Sequence, residues 1–228
     1  MEKANTSATI EEAIRYDSDT TGAAGSPDIA ATIFEKVSLC EVAVFDVTPI
    51  SFLEGPPRKS IPNPNVMIEL GYAAHAIGWE RIVTVMNTAF GGKPEELPFD
   101  VRSRRFPQIY SLGDERQVRP ETDAQLAGGL WQRIGLCLEA LHAQVERALR
   151  RLNRDCLTFL DVFGPHEYFN WDLDKYGQVI DRLLDLKLIY CNSDPMKKAY
   201  AYHWTHLGKR VHSEYRKRES IVAEKKEA

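Results

Sequence analysis

Val42-Ala43-Val44-Phe45-Asp46-Val47 is an almost unbroken run of apolar, strand-forming residues, and its reading decides the fold. A run of this kind suits a strand covered on both faces, as in a parallel sheet. A second such run, Arg81–Met86 (RIVTVM), lies further along. Between the two, Met67, Leu70, Ala74 and Ile77 recur on one helical face, with Asn65 able to cap the start and Gly78 able to end it. Strand, helix and strand in that order predict a βαβ unit with Val42–Val47 and Arg81–Met86 as adjacent parallel strands. Phe106–Tyr110 reads as a last strand. The expectation is an α/β domain with a parallel sheet and helices on both faces.

Upstream, Ala13–Tyr16 reads as a short strand and Asp17–Gly25 as a polar loop. Ser26-Pro27-Asp28 looks like a helix start, with Ser26 as cap, Pro27 in the first helical position and Asp28 complementing the dipole. Ile29, Ile33 and Val37 continue it as an apolar stripe. Pro49 to Pro64, rich in proline and charge, reads as a loop.

Beyond Pro120 the pattern turns helical. Helices are expected over Leu126–Leu152, Arg154–Phe163 and Asp174–Lys187. Two strands, Leu188–Cys191 and Ala199–Trp204, then a helix over Thr205–Lys217, complete a small winged-helix-like module. The division expected is 1–150 for the α/β domain and 151–228 for the module.

Bulk properties narrow the function. A formal net charge of -4 argues against the chain as a whole being a nucleic-acid binder. No apolar run approaches the roughly 20 residues of a spanning helix, and the N-terminus lacks a signal-peptide core. Cys40, Cys137, Cys156 and Cys191 are far apart, which predicts buried free thiols, a reducing cytoplasmic compartment and no metal site. The six histidines form no metal motif.

Glu69 is the leading candidate for chemistry, on a helix that follows a buried strand and a loop. Ligands of open α/β sheets bind at the carboxyl ends of strands, beside helix N-termini. A carboxylate there could stabilise, or attack, the sugar cation formed when an N-glycosidic bond breaks. The competing reading is a first-turn glutamate that only favours the helix dipole. Asn63 and Asn65 offer amide groups beside it, and Gly71 would let another backbone approach. Gly22 and Gly25, with Ser26, could cradle a phosphate, or form an ordinary loop-to-helix turn. Asp46 could orient a ribose or hold its loop by hydrogen bonds. Arg102, Arg104 and Arg105 could meet a diphosphate or form a solvated basic loop. Trp79 and Phe90 read as core or loop anchors.

Asp19-x-x-Gly22-x-x-Gly25-Ser26-Pro27-Asp28-Ile29, Val44-Phe45-Asp46-Val47-Thr48, Pro62-Asn63-Pro64-Asn65-Val66-Met67-Ile68-Glu69-Leu70-Gly71-Tyr72-Ala73 and Leu97-Pro98-Phe99-Asp100-Val101-Arg102 together resemble the bacterial TIR-like, predicted nucleotide-binding proteins. The resemblance spans roughly Asp17 to Leu112, and its glutamate segment also occurs in nucleoside deoxyribosyltransferase-like proteins. It implies a TIR-like (flavodoxin-like) sheet and, in catalytically active members, cleavage of NAD to nicotinamide and an ADP-ribose product, often in antiphage defence. Glu69 matches the residue that does this. NAD would be the substrate, with no separate cofactor. The partners expected are NAD or a related nucleotide, further copies of the chain, and a protein or signal input through the C-terminal module, with no membrane. Family members begin with a strand, a Ser/Trp-rich loop and a helix. Only Met1–Arg15 stands there, so the first central strand and one pocket wall are expected to be missing. In the module, Asp174, Asp181 and Asp185 on the would-be recognition helix oppose specific DNA binding.

Overall fold

The computed structural model describes residues 28–113, 120–165, 173–194 and 199–227. The chain divides into two compact units between Leu138 and Glu139. That boundary lies inside a long helix, α4 (Pro120–Arg151), instead of after it.

The first unit is mixed α/β. Helix α1 (Ile29–Leu39) starts at Asp28, not Ser26: Asp28 is the N-cap, and its carboxylate accepts from the Ala31 N–H at 3.1 Å. Gly22, Gly25, Ser26 and the segment Met1–Arg15 lie outside the described residues. Strand β1 (Ala43–Asp46) pairs in parallel with β4 (Ile82–Asn87), which pairs in parallel with β5 (Gln108–Tyr110). The expected βαβ unit is therefore present, with α2 (Pro64–Ala76) as its crossover helix. Ala43, Phe45 and Val47 are buried with Leu70, Ala73 and Ile77 of the α2 segment, and with Met86, Leu97 and Val101.

Two expectations fail here. First, β1 is not covered on both faces: Val44 is 44% exposed and Asp46 is exposed. Successive strand residues face opposite ways, so the register puts Val44, Asp46, Val85 and Gln108 on one face. On that face α4 meets β5, through Arg133 Nε donating to Gln108 Oε1 at 3.1 Å, while the described residues leave β1 open. Second, Pro49–Pro64 is not a loop. It holds an antiparallel hairpin, β2 (Pro49–Leu53) and β3 (Lys59–Pro62), whose turn contains Gly55 at φ 139° and a cis Pro56–Pro57 bond. Pro49 and Pro62 stand opposite each other at the open end, where a missing N–H costs the ladder least. Arg58 ties the hairpin down, lying 3.8 Å over the Phe52 ring and donating to Gly91 O at 3.0 Å.

Asn63, not Asn65, caps α2: its side chain accepts from the Asn65 N–H at 2.9 Å, and Pro64 takes the first helical position. Gly78 follows the helix at φ 86°, a backbone glycine tolerates and other residues resist. Among the described residues nothing lies within 4 Å of where a Gly71 Cβ would stand, so no described backbone makes the close approach expected there. Arg81 is 3% exposed and donates to Ile77 O at 2.9 Å, and burial lowers its pKa.

The second unit contains α5 (Arg154–Phe163), α6 (Leu173–Asp185), the antiparallel pair β6 (Ile189–Asp194) and β7 (Ala199–Trp204), and α7 (His206–Glu227). The order helix, helix, hairpin, helix is as expected, with α7 running further than Lys217. Helices α5 and α6 meet through a cluster of rings. Phe159 and Phe163 lie 4.6 Å apart, and Tyr176 sits edge-on to both at 5.4 and 5.2 Å. Edge-to-face contacts of this kind add to the area buried. Leu160, Ile180, Leu183, Leu188 and Val211 fill the centre.

All four cysteines are free thiols, but only Cys137 and Cys156 are buried as expected; Cys40 is partly buried and Cys191 is exposed. Burial pushes the Cys40 thiol up to about 11. No helix of the described residues is long and apolar enough to cross a membrane.

Candidate functional site

The carboxyl ends of β1, β4 and β5 are joined by a polar network. Asp46 Oδ1 accepts from the Thr48 N–H at 2.9 Å and from its hydroxyl. Asp46 Oδ2 accepts from the Tyr110 hydroxyl at 3.2 Å. The Asn87 N–H donates to Thr48 Oγ1 at 2.7 Å, and the Asn87 side chain makes two bonds to the backbone of Leu112. Burial, then the charge of Asp46, raises the Tyr110 phenol pKa. Asp46 therefore holds its loop through one oxygen and faces Tyr110 through the other.

The hairpin links this corner to α2. Pro49 follows Thr48 directly, and Pro62 precedes Asn63. Since Pro49 and Pro62 are paired across the hairpin, the chain leaving the Asp46 network runs beside the N-terminus of α2. Strand carboxyl ends and a helix N-terminus thus share one corner, the usual ligand position in open α/β sheets.

Glu69 sits in the second turn of α2, since the helix begins at Pro64 and its first turn carries no acidic residue. The dipole effect fades beyond the first turn, which weakens the reading of Glu69 as a dipole partner. The side chain is half-buried and makes no hydrogen bond or ion pair to a described residue. Burial raises its carboxyl pKa. Tyr72, three residues on and so on the same flank of α2, packs against Phe34 of α1 with centroids 4.6 Å apart and the rings tilted by 31°.

The other candidates are placed unevenly. Asn63 has its side-chain oxygen engaged in the cap, whereas Asn65 is exposed. Arg102 is not drawn into the Asp46 network. Its guanidinium donates to Glu95 O at 3.2 Å and lies 5.8 Å from the Phe99 ring centroid. Tyr110 was missed by sequence reasoning, because its meeting with Asp46 depends on strand register across 64 residues. Among the described residues no cluster of three or more His, Cys, Asp or Glu could hold a metal ion.

No family model, curated protein or solved structure matches the chain.

Proposed function

We propose that the first unit is a TIR-like NAD glycohydrolase domain, acting in bacterial antiphage defence or signalling, with Glu69 as its catalytic carboxylate. The observation that carries this reading is Glu69 itself, a half-buried carboxylate with no partner among the described residues and a pKa raised by burial. Breaking the bond between ribose C1′ and the nicotinamide nitrogen sends the bond's electron pair to nicotinamide and leaves a sugar cation. The Glu69 carboxylate stabilises that cation. Water then adds at C1′, giving ADP-ribose and releasing one proton. A charge that is costly in the free protein and is answered only as the cation develops lowers the barrier instead of tightening ground-state binding. Asp46 orients the ribose, Asn65 and the Asn63 cap shape the pocket mouth, and no further cofactor takes part. Assembly of several copies, or a protein or signal input through the winged-helix-like second unit, gates the reaction.

A second reading is a module that binds a nucleotide without turnover, and the engagement of Asp46 and Asn63 in structural bonds favours it. NAD binding measured by calorimetry beside nicotinamide release separates the two. Binding with release supports the glycohydrolase, and binding without release selects the module.

A further inference from the structure

We propose that a cleft at the amino end of β4, at the opposite end of the sheet from Asp46 and Tyr110, is a binding site for a small oxyanion, a phosphate or carboxylate group. The cleft exists because β5 is short. Its pairing with β4 begins at Val85, so Ile82–Thr84 have no strand on that side among the described residues. Two adjoining hollows open there, of about 290 and 190 Å³, sharing Trp79, Glu80, Thr84 and Arg105. Sites for drug-sized ligands start at roughly 300 Å³, so the space suits a small group.

Three guanidinium groups line it. Arg133 is aimed by two bonds, Nε to Gln108 Oε1 at 3.1 Å and Nη1 to Phe106 O at 2.7 Å. Arg104 lies over the Trp79 ring at 4.7 Å. Arg105 makes no hydrogen bond or ion pair to a described residue, and no described carboxylate is within ion-pair distance of any of the three. Among the described residues Glu80 is the one carboxylate on the lining; it is exposed and folds back over Gly78. The floor adds an independent feature. Thr84 is only 7% exposed, yet its hydroxyl has no hydrogen-bond partner among the described residues. That hydroxyl stays accessible from the cleft that Thr84 lines, where a ligand oxygen can bond to it. Burial, then the charge of Arg105, lowers the Arg133 pKa, so the two cations repel until an anion comes between them. Guanidinium forks match the paired oxygens of phosphate and carboxylate.

The test is titration of the full chain with inorganic phosphate and, separately, with acetate, read by calorimetry and by thermal melting. Either anion should bind the wild type and raise its melting temperature, and the tighter of the two identifies the ligand chemistry. Arg105→Gln should weaken binding about tenfold or more, the cost of one charge-assisted hydrogen bond. Thr84→Val, which keeps the side-chain shape, should also weaken it. Arg147→Gln, an exposed arginine of the second unit, should bind as the wild type does. Failure of both anions to bind the wild type overturns the site. So does binding that Arg105→Gln and Thr84→Val leave unchanged, or that Arg147→Gln weakens equally.

Discussion

Glu69 and the asparagines near it illustrate how far single residues can be read. Because burial raises the Glu69 carboxyl pKa, the folded chain holds that proton more readily than the unfolded chain. The stability this provides is complete below the ordinary carboxylate value and is lost as pH rises through the raised one. Glu69→Gln should therefore raise the melting temperature at neutral pH, with the gain vanishing in acid. A loss of roughly 0.3–1 kcal/mol at neutral pH would instead mark a helix-dipole partner. The two asparagines should separate as sharply. Asn63→Ala removes the α2 cap and should cost about 0.5–2 kcal/mol in denaturant unfolding. Asn65→Ala, at an exposed position, should stay within about 0.5 kcal/mol of wild type. That a cap existed was legible in Asn63-Pro64-Asn65, but with an asparagine on each side of one proline the reading fell on Asn65, whereas the cap is Asn63. The Asp46–Tyr110 bond was not legible at all, because only the register of β5 brings those side chains together.

Elements with one dominant periodicity were the legible ones. Val42–Val47 and Arg81–Met86 carry enough apolar residues to be strands in any register, and the helix between them leaves only a parallel pairing. The β2–β3 hairpin was hidden because its prolines and charges imitate a loop, and only the opposition of Pro49 and Pro62 makes them harmless. The exposure of Val44 was hidden too, since VAVFDV reads the same whether one face or both are covered. In the second unit, α6 ends in a turn no residue pattern announced. The Leu188 N–H donates to Leu183 O at 2.9 Å and the Lys187 N–H to Leu184 O at 2.8 Å, with Lys187 at φ 56°. This is a Schellman end with lysine where glycine is preferred. Lys187→Gly should therefore stabilise the chain by about 1 kcal/mol, read by thermal or denaturant unfolding, because it relieves a left-handed backbone. Gly208→Ala should do the reverse, since its Cβ would strike the Leu188 carbonyl oxygen and the Trp204 ring.

On the scale of the whole molecule, two units with separate cores invite separate roles. Asp174, Asp181 and Asp185 are all exposed on α6, so duplex DNA at physiological salt should bind weakly and without sequence preference. Tight, sequence-selective binding in a fluorescence assay would promote a regulatory role for the second unit. The oxyanion cleft was invisible in the sequence because it arises from β5 stopping short of Thr84, which no motif records. The most direct test of the account is nicotinamide release from NAD by the full chain, concentrated to favour assembly and followed across pH beside Glu69→Gln. The account predicts release by the wild type that falls as the pH drops through a Glu69 pKa above the ordinary carboxylate value, and release by Glu69→Gln lower by orders of magnitude at every pH. No release from the wild type, or equal release from both proteins, would contradict it.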